Sequence, residues 1–225
     1  MSLDFDGSND YVKINNSASL NAISTVFSVG AWINTNSVAQ SAQFIIQKYP
    51  GPTSVGEFHL YIRSNDEIAV YTPESGVVET VSLNLSPSTW YWIVATYDGT
   101  TLRIFVDGVQ KQSSVVSINI ADANQDWYIS NEVSAGQMFT GKITNVFISD
   151  REFSQQELLS LNYRRLIPDS NIKALFRFDE GALNLAPGGT DCADISGNVN
   201  HGTTYGTMTN SDYVDGPPIQ WDQGD

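Results

Sequence analysis

Hydrophobic and polar positions alternate with a period of two along much of this chain, most clearly over Trp90–Gln110. Trp90, Trp92, Val94 and Thr96 share one face, and Tyr91, Ile93, Ala95 and Tyr97 share the other. Beyond Asp98-Gly99, Leu102, Ile104 and Val106 alternate with Arg103, Phe105 and Asp107. Alternation built from β-branched and aromatic residues predicts strands. Asp98-Gly99 offers the positive φ that a two-residue hairpin turn requires, and Asp107-Gly108 repeats the device. The stretch therefore predicts an antiparallel meander.

Further strands are predicted over Ser2–Asp6, Tyr11–Ile14, Val26–Asn34, Phe44–Lys48, Glu57–Arg63, Ile68–Thr72 and Val78–Leu83. Others follow over Val109–Val115, Asp126–Ser130, Phe139–Ser149 and Ala174–Phe178. The gaps between them are rich in Asn, Ser, Gly and Pro, as turns are. Many short strands at this spacing predict an all-β fold, a two-sheet antiparallel β-sandwich. One short helix interrupts the pattern in the C-terminal half. Ser154-Gln155-Gln156-Glu157 is a capping box, and Phe153 before the cap can staple onto Leu158. Leu158, Leu159, Leu161 and Tyr163 give the helix an apolar face, Arg164 and Arg165 suit its C-terminus, and Pro168 stops it. So short a helix needs the sandwich beneath it to be stable.

The texture changes after Pro168. Asp179–Asn200 reads as loop, and Asp215–Asp225 reads as a loose acidic tail. Roughly 45 residues follow Pro168 before the tail, below the length that folds alone without staples. Residues 1–214 are therefore expected to form one sandwich, with 170–214 completing it. Exchange of that strand with a neighbouring chain, or the start of a second domain, are the alternatives.

Charge narrows the partners. Eleven Lys and Arg against 25 Asp and Glu give a net charge of −14. A field of that sign opposes nucleic acid and anionic membranes, and suits solubility, cations or neutral ligands such as glycans. The single cysteine, Cys192, excludes an intrachain disulfide, and Asp191 and Asp194 beside it deny it the cationic setting of a reactive thiolate. No apolar run reaches membrane-spanning length. Met1 leads directly into strand-like Ser2–Asp6 rather than a leader, so an extracellular or virion-associated location is expected by trimming or by release through lysis.

Four segments together resemble a known family: Leu3–Ile14 (LDFDGSNDYVKI), Phe27–Ile33 (FSVGAWI), Ser88–Val109 and Phe139–Leu158. They occur in the order of laminin-G-like domains of the concanavalin A-like lectin/glucanase superfamily. The resemblance implies a jelly roll of two curved sheets. Ala174–Gly181 (ALFRFDEG) and Asp194–Thr203 (DISGNVNHGT) resemble opening segments of such a domain, but here they come last. That order suggests a circularly permuted segment.

The resemblance also frames the chemistry. Glucanases of the superfamily carry alternate carboxylates on one strand, E-x-D-x-E or E-x-D-x-x-E. Here Asp150, Glu152 and Glu157 straddle a helix start, and Asp4 and Asp6 lack a third partner. The histidines are two, His59 and His201, and His59 reads as a sheet residue. No catalytic residues are expected. Family members often hold a calcium near the turn matching Asp6, Gly7, Asn9 and Asp10, so a structural calcium is expected there, with Asp194 in a second oxygen-rich loop. The aspartate the family places in G-K-I-D-E-V is Thr144 here, which weakens that site; turn-making is the plainer role for these residues. Glycan recognition needs aromatic platforms. The candidates are Tyr49, Tyr61, Tyr71, Trp90, Trp92, Trp127 and Tyr128, with Trp32 and Phe105 assigned to the core. Tyr49 adjoins Pro50-Gly51-Pro52, which reads as an exposed loop tip. The expected function is a non-catalytic module binding a carbohydrate or other surface ligand. A structural or adhesion module of a virus particle or surface assembly is the alternative, and a glycoside hydrolase ranks third.

Overall fold

The structure is a computed structural model that describes residues 1–38, 42–49, 56–80, 82–121, 125–130, 137–162, 166–180 and 192–217. In chain order the elements are β1 (Ser2–Asp6), β2 (Tyr11–Ile14), α1 (Ala18–Asn21), β3 (Phe27–Thr35), β4 (Ala42–Tyr49), β5 (Phe58–Arg63), β6 (Ile68–Thr72) and β7 (Gly76–Glu79). Then come β8 (Trp90–Tyr97), β9 (Thr101–Val106), β10 (Val109–Val115), β11 (Asp126–Ile129), β12 (Thr140–Ser149), α2 (Gln155–Leu161), β13 (Ile172–Phe176), β14 (Gly202–Tyr205) and β15 (Tyr213–Val214). They form two antiparallel sheets, the sandwich the alternation predicted. One has the order β10-β9-β8-β3-β12-β1-β15 with β13 also on β12; the other runs β14-β2-β11-β4-β5-β6-β7.

The two Asp-Gly turns differ. At β9–β10 the connection is two residues, with Asp107 at φ +52° and Gly108 at φ +75°, a primed hairpin turn. A Cβ on Gly108 would sit 2.9 Å from Leu159 Cα, so the backbone of α2 presses on this turn. At β8–β9 the connection is three residues, not two: Asp98 Oδ1 accepts the N–H groups of Thr100 (2.8 Å) and Thr101 (2.7 Å) and closes a wider loop.

Between the sheets lies the main core, to which Phe5, Phe27, Tyr97, Trp127, Phe139 and Phe176 contribute. A second, smaller core forms on the far face of the larger sheet. There Trp32, Trp92, Phe105 and Phe147 pack under Phe153 and Leu158 and beside Leu175 of β13. The capping box of α2 is formed as predicted: Ser154 Oγ accepts the Glu157 N–H, and Glu157 Oε2 accepts the Ser154 N–H at 2.8 Å. Tyr163, Arg164 and Arg165 lie outside the described residues, as do Pro50–Pro52.

Strand β12 joins segments remote in sequence. One of its edges carries β3; the other carries β1 from Leu3↔Ile143 to Asp6↔Thr140, then β13 from Val146↔Phe176 to Ser149↔Ile172. The strand predicted over Ala174–Phe178 thus sits two residues earlier, because Phe178 adopts φ +50° and leaves the sheet. At the seam, buried Thr144 Oγ1 lies 2.9 Å from the Met1 carbonyl and 2.8 Å from the Arg177 carbonyl, its proton serving one at a time. β15 pairs with β1, and β14 pairs with β2. The strand predicted over Val78–Leu83 instead spans Gly76–Glu79: beyond it, Thr80 Oγ1 turns inward to accept the Ile68 N–H. Among the described residues no helix is long and apolar enough to cross a membrane.

Candidate functional site

The smaller sheet sends alternate side chains to opposite faces. Val12, Trp127, Ile46, Phe58, Leu60 and Val70 point into the core. The residues between them form a band on the face turned away from it. Registered pairs carry that band across the strands: Lys13↔Tyr128, Tyr128↔Gln47, Gln47↔His59 and His59↔Tyr71. One row over, Phe44 opposes Tyr61, and on the other side Tyr49 opposes Asp126.

At the centre of this face stands His59. Phe44 meets its ring edge-on at 5.0 Å, Tyr71 lies at 5.3 Å and Tyr49 at 6.1 Å. Tyr61 stacks on Phe44 at 5.2 Å. Tyr49, Tyr61 and Tyr71 are half-buried: each keeps surface while its ring is fixed by neighbours. His59 Nε2 is 2.8 Å from Glu57 Oε1, with side chains 13% and 9% exposed. Burial lowers the His59 pKa to about 4, and the same burial raises Glu57 above its ordinary range. The imidazole is thus neutral and held beside the carboxyl group, rather than forming one half of a pair of mobile surface charges. Burial also raises Tyr61 and Tyr128, keeping both phenols as hydrogen-bonding groups at neutral pH. The arrangement is a recessed aromatic surface with fixed polar groups among its rings, which suits a ligand with both apolar faces and hydroxyls.

Three of the predicted aromatic candidates, Tyr49, Tyr61 and Tyr71, therefore converge. The tryptophans do not. Trp127 is fully buried between the sheets, where its ring packs against Phe58 at 5.9 Å. Trp92 is 3% exposed and stacks on Trp32 at 6.3 Å beneath the helix side of the larger sheet, with half-buried Trp90 against the same cluster. Helix α2 and β13 need that apolar face, so Trp92 and Trp127 are corrected to core. Trp90 belongs to the opposite side of the sandwich from the tyrosines. Trp32 and Phe105 are core as expected, though in the smaller cluster.

A laminin-G-type family model, described as the concanavalin A-like lectin/glucanases superfamily, matches residues 6–159. The chain belongs to this superfamily. No curated protein matches the sequence. Among solved structures, a candidate carbohydrate-binding protein from Bacteroides ovatus superposes with a TM-score of 0.72 at 20% identity, covering 90% of this chain. The chain spans 57% of that protein's length. Domain 4 of an extracellular arabinanase from Geobacillus stearothermophilus, in complex with arabinotriose, gives 0.58 at 14% identity over 72% of this chain and 76% of that one. The CBM40 of a Ruminococcus gnavus sialidase, bound to α2,3-sialyllactose, gives 0.56 at 11% identity over 72% of this chain and 96% of that one. At these identities the likeness is one of fold.

The superfamily raised the expectation of calcium. Asp6, Gly7, Asn9 and Asp10 do share one turn, with Gly7 at φ +76°. Asp6 Oδ1 accepts the N–H groups of Ser8 (2.7 Å) and Asn9 (3.1 Å), and Asp10 Oδ2 accepts the Asp6 N–H at 3.3 Å. Asp10 Oδ1 accepts the Thr207 N–H at 2.8 Å. Gly206 is required beside it, because a Cβ there would come within 2.6 Å of Asp10 Oδ1. Asp194 stands apart in its own loop, taking the N–H groups of Leu175, Ser196 and Asn200. Thr144 is about 13 Å along β12 from Thr140, the residue facing Asp6, so it does not bear on this turn. Among the described residues no three His, Cys, Asp or Glu side chains are grouped as a metal site. These contacts build turns and a clasp on the C-terminal segment.

In the sequence His59 reads as a plain sheet residue, and Phe44 and Gln47 carry no signal of a site. Their period-two placement was visible, but which strands lie side by side is fixed by long-range register.

Proposed function

We propose that this protein is a non-catalytic carbohydrate-binding module whose glycan lies on the outer face of the smaller sheet, working outside the producing cell or on a released particle. The observation that carries this reading is the convergence of Phe44, Tyr49, Tyr61 and Tyr71 on His59, with Glu57 and Gln47 among them. A pyranose presents an apolar C–H face and a rim of hydroxyls. Half-buried tyrosines supply flat contact area at low entropic cost, and the fixed polar groups supply direction. The names of its structural neighbours, an arabinotriose-bound domain and a sialyllactose-bound module, favour the same class.

The test is a glycan array followed by titration calorimetry on the hits. Tyr71→Ala should weaken the best ligand about tenfold, the loss of one good aromatic contact. Trp90→Ala, on the opposite face, should leave affinity within twofold. Equal loss from both variants, or no glycan bound, would overturn the proposal. Incubation with the bound glycan should release no reducing ends.

A further inference from the structure

The aromatic band does not end at Tyr128. On β2 and β14 the register places Tyr11 directly opposite Tyr205 on the same face. The two rings stack at 4.7 Å with an interplanar angle of 4°, and Tyr128 approaches Tyr11 at 6.2 Å. Tyr205, on the edge strand, is 42% exposed, which is unusual for so large an aromatic. The pair is not needed by the core, which β2 already serves through Val12 and Ile14. Strand β14 also lies outside residues 6–159, the part that matches the superfamily.

We infer that Tyr11 and Tyr205 form a second carbohydrate subsite, so that the protein holds a neutral, linear oligosaccharide running across the strands from β14 to β6. This rests on the proposed function. Length comes from the sheet: β14 to β6 is five strand intervals, about 24 Å at the usual spacing. A hexopyranose advances a chain by about one such interval, so the band accommodates about five units. Neutrality comes from charge. Between the two aromatic groups, Lys13 is paired with Asp126 at 2.9 Å, so the cation on this face is already neutralised by a carboxylate. The whole molecule carries −14, which repels an acidic glycan.

The probes are linear arabino-, xylo- and cello-oligosaccharides of two to six units, titrated calorimetrically into the full chain. In the series that binds, affinity should rise with each unit to about five and then level. Tyr205→Ala should weaken the five-unit ligand about tenfold and leave the two-unit ligand, held by the His59 cluster, unchanged. Tyr205→Phe, which keeps the ring, should retain binding at every length, showing that stacking rather than folding is lost. Tyr71→Ala should weaken every length. Carboxylated oligosaccharides of equal length should bind more weakly than neutral ones. A plateau at two units, an unaffected Tyr205→Ala variant, or preference for acidic chains would overturn the inference and leave the proposed function standing. Binding by none of the three series, with no hit on the glycan array, would remove both.

Discussion

The buried His59 makes fold stability depend on pH in a calculable way. In the unfolded chain its pKa is near 6.5, and in the fold burial lowers it to about 4. A histidine kept neutral by folding stabilises the native state above the unfolded pKa. That contribution fades as pH falls toward the folded value, because the unfolded chain takes up a proton the native chain refuses. Between pH 7 and pH 5 the loss amounts to about 2 kcal/mol. Glu57 is shifted the opposite way, upward, so folding favours its protonated form and its contribution grows as pH falls. His59→Gln keeps a polar side chain beside Glu57 but cannot titrate, so comparing the two proteins isolates the histidine. Thermal unfolding followed by circular dichroism at pH 7 and pH 5 reads the effect. The native protein should lose about 4–8 °C more than His59→Gln over that interval. Parallel melting curves at both pH values would refute the reasoning.

Three further outcomes follow from particular contacts. Val199 is a β-branched residue at φ +61° with 71% of its surface exposed, so Val199→Asn should stabilise the fold by up to ~1 kcal/mol, read as a higher Tm. Trp92→Ala should cost about 3–5 kcal/mol by opening a cavity under α2, read by urea denaturation, with glycan binding intact while the protein is folded. Asp10→Ala removes the acceptor for the Thr207 N–H and should cost about 1–3 kcal/mol, read as a lower Tm.

Local signals in the sequence translated directly into structure where one short segment decides the outcome. The Asp107-Gly108 turn, the Ser154–Glu157 capping box and the strand alternation are of this kind. The candidate site was half legible. Tyr49, Tyr61 and Tyr71 are marked as candidates by residue type, but their gathering around His59 needs the β4–β5–β6 register, set by pairs remote in sequence. Trp92 and Trp127 misled for one reason. A sandwich strand has two faces, and either can be apolar when a helix or a second sheet covers it; Trp92 lies under a helix and Trp127 between sheets. His59 is not legible as a site residue, because a histidine in an alternating strand carries no signal until its neighbours are known.

The way β12 receives β1 from far earlier in the chain has a consequence for how the protein comes into being. Its first strand, Ser2–Asp6, finds its partners only at Thr140–Ile143 and at Tyr213–Val214. During synthesis this strand is made long before β12 and must wait, unpaired, until Thr140–Ile143 has been made. Contacts this distant in sequence make for slow acquisition of the native state, on the scale of milliseconds to seconds once the chain is complete. Throughout that wait an edge rich in apolar residues is open to other nascent chains. The strong negative charge then has a use before the fold exists: it keeps waiting copies apart.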